Sequence, residues 1–337
     1  SVLATECALR MADFTITEAG FAADLGAQKF MSIVAPRLGR GPDAIVLVAT
    51  VRAMKYHGGG DMAAGLVNLG RHIGHLKAYG VPVVVAINRF AEDDDASHAA
   101  IAQYVATQGA QAIVADPWNS GGAGCADLAT AIAEATSTAA TSVPIVDANA
   151  PFEDRLTTIV QKVYGGDGFA LDEKAARRLE WAKKHGLDNL PICVAKSQYS
   201  LSDDPDLGGS PTGFTVRVRE IRPSLGAGFL VVVCGEILLM PGLGRDPAAL
   251  HIDIDADGKI TGSEPISRDA PPQLLAVVRR TLALLRSVVP ARAALTVAGD
   301  GCAAAGEAAS AASEAASPRT ATFCIADLSL RRNLDRE

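Results

Sequence analysis

Four short stretches carry the residues able to do chemistry, and each follows an apolar run. Glu18-Ala19-Gly20-Phe21 comes after the first run, and Arg52, Lys55 and His57 with Gly58, Gly59 and Gly60 come after the second. Asn88-Arg89-Phe90 follows the third, and Pro117-Trp118 with Gly121, Gly122 and Gly124 follows the fourth. Glycine turns that open helices present unpaired backbone amides to an anion. Phe90 and Trp118 offer flat apolar faces on which a heterocycle can stack. These residue types suit a ligand that carries both phosphate and a planar ring.

The runs that must position them are "ADFTIT" at 12–17, "AIVLVATV" at 44–51, "VPVVVAIN" at 81–88 and "QAIVAD" at 111–116, with "LPICVAKS" at 190–197 as a fifth. Nearly continuous apolar character predicts buried parallel strands. Between them, Met62, Leu66, Leu69, Ile73 and Leu76 share one helical face, with Gly80 at the expected left-handed cap. Leu156, Ile159, Val160 and Val163 mark a second helix, and a charged third runs from Asp172 through Leu179 and Trp181 to Gly186. The alternation predicts an α/β fold with a mostly parallel, doubly wound sheet, in which ligands bind beyond the carboxyl ends of the strands. After about residue 210 the pattern changes. "FTVRVREIR" alternates apolar and polar residues and leads through "PSLGAG" into "AGFLVVVCGEILLM", which predicts antiparallel strands in a mixed α/β C-terminal domain. From Ser263 an amphipathic segment, "PPQLLAVVRRTLALLRSVVP", precedes the low-complexity run "AAAGEAASAASEAASP". Residues 263–337 are expected to form an Ala-rich, partly disordered extension.

The remaining features narrow the function by exclusion. A chain of 337 residues with 49% hydrophobic and 20% charged residues holds two domains and a large core. Its net charge of -7 disfavours a nucleic-acid backbone as partner. Six scattered cysteines with no CxxC pair read as free thiols rather than a metal or disulfide framework. No apolar run has the length of a membrane span. A cytoplasmic location is expected, with an organellar one left open because the sequence starts at Ser1. "DIDADGKITGSE", from Asp253 to Glu264, has EF-hand spacing, but its flanks lack helical pattern, so it reads as a β-turn. The acidic run at 92–96 reads as a helix N-cap, and His72 and His75 as surface residues. No metal site is expected.

Seven motifs, in order, resemble the C-terminal half of formate–tetrahydrofolate ligase (10-formyltetrahydrofolate synthetase). They are "SVLAT", "TEAGFAADLGAQKF", "PDAIVLVATVRAMKYHGG", "VPVVVAINRF", "LPICVAKSQYSLSDDP", "VREIRPSLGAGF" and "MPGLGRDPAALHIDIDADGKITG", spanning Ser1 to about Gly262. The resemblance implies a P-loop NTPase-like remainder over 1–92, a mixed α/β domain over 93–262 and an unrelated extension over 263–337. It implies ATP-dependent formylation of tetrahydrofolate through formyl phosphate, with ATP and Mg2+, formate and tetrahydrofolate as ligands. A stimulating monovalent cation and a homo-oligomer are further family expectations. On this sequence the resemblance puts the pterin between Phe90 and Trp118, lines the formyl-phosphate pocket with Gly20 and Phe21, and places Pro241, Gly242 and Leu243 on the nucleotide side.

Some family features are not found. No G-x-x-x-x-G-K followed by serine or threonine occurs in the sequence, and in "KYHGGGD" the lysine precedes the glycines. The family's P-loop lysine and formyl-phosphate arginine have no counterpart here, so no catalytic residue is assigned. Ala91 stands where the family has proline, Ser120 where it has lysine, and "PGLG" where it has "PGLP". Three readings follow: part of a longer ligase, a half-protein completed by a separate partner, or a non-catalytic folate-binding or interaction module. The first is preferred, and catalysis by this stretch alone is not expected.

Overall fold

The computed structural model describes residues 2–20, 22–137 and 140–235, together with the strand residues 253–254, 260–261, 296–297 and 321–327. After α1 (Val2–Met11), the first apolar run forms β1 (Phe14–Ala19). Two π-wound segments, Ala22–Ala27 and Phe30–Val34, then lead into the short α2 (Ala35–Leu38). The next runs form β2 (Ala44–Ala49), β3 (Val83–Asn88) and β4 (Gln111–Ala115). Between them lie α3 (Val51–His57), α4 (Met62–Lys77) and α5 (Asp95–Thr107), and α6 (Pro117–Ser120) and α7 (Ala126–Ala135) follow. The second half builds α8 (Phe152–Ile159), β5 (Gly168–Leu171), α9 (Glu173–Lys184), β6 (Ile192–Ala195), β7 (Thr215–Ser224) and β8 (Phe229–Cys234). Beyond these are the short strands β9 (Asp253–Ile254), β10 (Ile260–Thr261), β11 (Thr296–Val297) and the longer β12 (Ala321–Asp327).

Two larger sheets result. The first has the order β11-β1-β12-β2-β3-β4 and is parallel throughout. Successive residues of β2 point to opposite faces, so Ile45 and Leu47 enter one buried cluster while Ala44 and Val46 enter another. The first cluster takes Leu69, Ile73 and Leu76 from α4, and the second takes Leu128 and Ile132 from α7. Burying each of these large side chains contributes about 1.5–3 kcal/mol. Helices covering both faces explain why the strands are apolar along their whole length. The second sheet has the order β5-β7-β8-β6, with β7 and β8 antiparallel and the outer strands parallel to their neighbours. Its core holds Phe152, Leu156, Ile159, Val160, Val163 and Leu179.

The α/β character and the antiparallel pair joined through "PSLGAG" match the sequence reading, and Gly80 takes the expected left-handed conformation (φ 76°). The fifth apolar run forms β6 in the second sheet, within the span 93–262 read as the mixed α/β domain. Residues 111–115 pair with β3 in the first sheet. Strands β11 and β12, from the segment read as a partly disordered extension, pair in that sheet as well. Within the calcium-like stretch itself, Ile260 lies opposite Ile254 in an antiparallel pair, in keeping with the strand-and-turn reading.

Candidate functional site

The carboxyl ends of β3 and β4 leave the sheet side by side. The Arg89 amide donates to the Ala115 carbonyl at 2.9 Å, extending the ladder by one step into the loops. Phe90 comes next, and its amide donates to Asp93 Oδ2 at 2.9 Å. The Asp93 side chain is itself buried and lies 3.3 Å from His98 Nε2, so the turn under Phe90 is anchored to α5. Asp94 caps that helix by accepting from the Ser97 amide at 2.6 Å, as the sequence suggested. Arg52, on α3, reaches across with its guanidinium 5.3 Å from the Phe90 ring centroid. Its Nη2 donates to Glu92 Oε1 at 2.7 Å. A backbone hydrogen bond, then this contact, hold the Glu92 carboxyl below its ordinary range. The neighbouring Lys55 is exposed.

Trp118 sits in α6, directly after β4, and is 64% exposed. Asp116 accepts from the Asn119 amide at 3.0 Å and from Asn119 Nδ2 at 3.1 Å, which fixes the turn presenting the indole. Gly121 adopts φ 56° and ψ -134°, a region open only to glycine. A Cβ on Gly124 would lie 2.1 Å from the Asp116 carbonyl oxygen, so glycine is needed there for close approach. The "GGG" run has a different task. Gly58 ends α3, the Gly60 amide donates to the Lys55 carbonyl at 2.7 Å, and Asp61 caps α4 by accepting from the Ala63 amide. These glycines reverse the chain between two helices, and the start of α4 already holds a carboxylate.

At the end of β1, a Cβ on Gly20 would meet nothing within 4 Å, so this position faces open space. The segment after it packs back on the strand: a Cβ on Gly26 would lie 2.0 Å from the Gly20 carbonyl oxygen. Ala22 turns the chain with φ 64°, an unusual conformation for a residue with a side chain. Asp24 is buried and forms a 2.6 Å ion pair with the fully buried Lys196, just after β6. Lys196 Nζ also donates to the Ser200 carbonyl at 2.6 Å and lies 4.8 Å from the Tyr164 ring centroid. The pair therefore fastens the segment after β1 to the second unit. Phe21, Pro241, Gly242 and Leu243 lie outside the described residues.

Beside this ion pair lie His57, His72 and His75. The last two are only 3% exposed, which corrects the reading of them as surface residues. The apolar stripe of α4 faces the first sheet, while an adjacent face meets the second unit, where Asn68 Nδ2 donates to the Gly209 carbonyl at 2.6 Å. Burial lowers His57 to about 4, partly opposed by Asp24. Burial, helped by His57 and Lys196, lowers His72 to about 3. Burial, with the charge of His72, lowers His75 to about 3, again opposed by Asp24. All three are neutral near pH 7.

Strand order sets the layout of the site. Phe90 and Trp118 end neighbouring strands, about 5 Å apart in the sheet. Gly20 ends β1, three strand steps from β3 and so roughly 14 Å along the same edge. The structure thus brings Gly20, Phe90 and Trp118 to one edge of the sheet, with Arg52 beside Phe90. Asp93, Asp24 and Lys196 hold these parts in place; Asp93 belongs to the acidic run read as a helix N-cap, and the Asp24–Lys196 pairing carries no local sequence signal. No group of three or more His, Cys, Asp or Glu able to hold a metal occurs among the described residues. No helix among them is long and apolar enough to cross a membrane. A cleft of about 440 Å³ on the second unit, lined by Asp172, Asp203, Arg217, Arg219 and Gly235, has its Arg217 and Asp172 paired at 2.6 Å.

The family model described as formate--tetrahydrofolate ligase matches residues 1–264. The chain belongs to the formate–tetrahydrofolate ligase family. A formate--tetrahydrofolate ligase of Lactiplantibacillus plantarum is 50% identical over 273 residues, covering 78% of this chain and 50% of the relative. One of Leuconostoc citreum is also 50% identical, over 78% of this chain and 49% of its own length. One of Dinoroseobacter shibae is 49% identical over the same shares. The chain spans about half the length of the curated relatives it matches. The match ends before β11 and β12.

Proposed function

We propose that this chain forms the tetrahydrofolate side of a formate–tetrahydrofolate ligase site. The observation that carries the reading is the placement of Phe90 and Trp118 at the carboxyl ends of adjacent parallel strands, on turns fixed by Asp93 and Asp116. Two aromatic faces held at the edge of the sheet suit a pterin stacked between them. Gly20 and Phe21 line the path toward formyl phosphate, and Pro241, Gly242 and Leu243 lie on the nucleotide side. In the reaction, a tetrahydrofolate nitrogen attacks the formyl carbon of formyl phosphate. The bond from that carbon to the bridging oxygen breaks, phosphate leaves with the electron pair, and the nitrogen loses its proton to solvent. The chain's part is to hold the ring and exclude water around it.

Formation of formyl phosphate from formate and ATP requires groups that cradle the triphosphate. The sequence has no P-loop motif, and the described residues offer no cluster fit for Mg2+. Nor do they suit a monovalent cation at Asp24, whose charge is matched by Lys196. We therefore assign ATP activation, and any such ions, to residues outside this set. The alternative of a non-catalytic folate-binding or interaction module uses the same aromatic pair without formyl transfer. Fluorescence titration with tetrahydrofolate tests the common element. Phe90→Ala and Trp118→Ala should each weaken binding about 5- to 150-fold, from about 1–3 kcal/mol per stacked ring. Unchanged affinity in both variants would overturn the site. Formate-dependent ADP release by these 337 residues alone would overturn the assignment of ATP activation.

A further inference from the structure

Phe90 carries a cation on one face. The Arg52 guanidinium, from the first turn of α3, lies over the ring at 5.3 Å from its centroid. It is held there by Glu92, two residues past Phe90 on the same turn, whose Oε1 accepts from Arg52 Nη2 at 2.7 Å. Asp93 fixes the backbone of that turn by accepting from the Phe90 amide. The start of α3 is tied down by Thr50, which accepts from the Ala53 amide at 3.0 Å. Arg89, beside Phe90 in sequence, pairs with Asp95 at 3.1 Å instead. Ring and cation therefore have separate anchors, one in the loop after β3 and one on the helix after β2.

The face of an aromatic ring is electron-rich, which is why a cation settles on it. A cation on one face draws density toward itself and leaves the opposite face less negative. That opposite face is where a ligand ring can stack, because Arg52 occupies the first. Stacking gains when the ligand ring is rich in electrons and the receiving face is poor in them. Reduced and oxidised pterins differ in this respect. In tetrahydropterin, the N5 and N8 amines of the saturated ring feed electron density into the pyrimidine. In the oxidised pterin the same nitrogens belong to an aromatic pyrazine and withdraw it. The hydrogen-bonding edge of the pyrimidine is common to both, so it does not tell them apart.

We infer that Arg52 is a specificity-determining residue: set over one face of Phe90 and held by Glu92, it tunes the ring toward a reduced, electron-rich pterin and against an oxidised one. It acts through Phe90, so its role is that of a positioning residue rather than a catalytic one. The inference rests on the proposed stacking of the pterin on Phe90 and names the residue by which that site distinguishes the two oxidation states. Arg52 is 58% exposed, so the effect is that of a solvent-screened cation, about 2- to 5-fold in affinity.

The test is calorimetric titration of the full 337-residue chain with tetrahydrofolate, 7,8-dihydrofolate and folate, without oxygen. Arg52→Met keeps an unbranched side chain and removes the charge. It should lower the preference for tetrahydrofolate over the other two ligands about 2- to 5-fold. All three ligands carry the same p-aminobenzoylglutamate tail. Lost attraction between Arg52 and the tail carboxylates, or lost support for the turn, therefore weakens all three alike and cancels in the ratio. Phe90→Leu keeps the bulk but has no aromatic face, and in that background Arg52→Met should leave the ratio unchanged. An unchanged ratio with Phe90 in place would overturn the inference. So would the same change of ratio in the Phe90→Leu background, which would mean that the charge acts on the ligand directly. Phe90→Ala separates this inference from the reading beneath it. If Phe90→Ala weakens binding while the ratio ignores Arg52, the specificity role alone falls; if Phe90→Ala leaves binding unchanged, the stacking falls and this inference with it.

Discussion

Acidification should unfold this protein through its buried histidines before its carboxylates titrate. In the unfolded chain a histidine binds a proton near pH 6.5, whereas in the folded protein His57 does so at about 4 and His72 and His75 at about 3. Each is thus a base whose folded value is depressed. From about pH 7.5 upward all three are largely neutral in both states and contribute little to the pH dependence. Below it the unfolded state takes up protons that the folded state refuses, so stability falls through pH 6.5 until the folded values near 3–4 are reached. At pH 5.0 each histidine is roughly 1.5 pH units below its unfolded value, a loss of about 2 kcal/mol. The three together remove about 6 kcal/mol, comparable with the whole stability of many domains.

Urea unfolding followed by circular dichroism at pH 7.5 and 5.0 measures this difference directly. Replacing His72 and His75 together by asparagine removes two titrating groups, so about 4 kcal/mol of the pH difference should vanish whatever the variant's stability at pH 7.5. Working at pH 5.0 keeps ordinary carboxylates ionised, which separates this effect from general acid unfolding. A pH difference unchanged in the double variant would refute the assignment. A difference below about 1 kcal/mol in the unaltered chain would do the same.

Other substitutions test the supports of the site. Lys196→Ala should destabilise the fold by about 3–5 kcal/mol, because it strands Asp24 without water, and adding Asp24→Leu should recover part of that in chemical denaturation. Ala22→Gly should raise stability by about 0.5–1 kcal/mol, since φ 64° is strained for alanine, and a lowered thermal midpoint would contradict the strained-turn reading. Asp93→Ala removes the acceptor of the Phe90 amide, so it should weaken tetrahydrofolate binding several-fold while the melting temperature falls by only a few degrees. Equal binding by that variant would show that Phe90 needs no anchor.

The parts of the fold that a single element determines were legible in the sequence. β2 and β3 are apolar along their length because helices cover both faces, and that leaves a continuous run to read. The α4 stripe of Leu66, Leu69, Ile73 and Leu76 likewise reports one sheet-facing side. What could not be read depends on a second partner. His72 and His75 look solvent-facing on an isolated amphipathic helix, and only tertiary packing buries them. β6 has the composition of any buried parallel strand, and nothing local tells which sheet it joins. Residues 321–327 form a central strand between β1 and β2, a placement their own sequence does not encode. Asp24 and Lys196 show no spacing at all, being joined only through the packing of two units.

The aromatic pair and its two kinds of support differ in the same way. Phe90 and Trp118 follow strands directly, so strand order alone places them on one edge. Their usefulness as a stacking pair depends on whether the turns beneath them are rigid, and that rests on Asp93 meeting both the Phe90 amide and His98, and on Asp116 meeting Asn119. These are short local bonds, made within the loops and their helix starts. The Gly20 end is different, because the segment after it is tied by Asp24 to the buried Lys196 of the second unit. Loss of an aromatic support should therefore change ring binding with little effect on folding, whereas loss of Lys196 should disturb both. Hydrogen exchange of the Lys196→Ala variant separates the two: faster exchange confined to residues 22–27 and 196–202 would mean that the pair positions the floor alone, and faster exchange across both sheets would mean that it joins the two units.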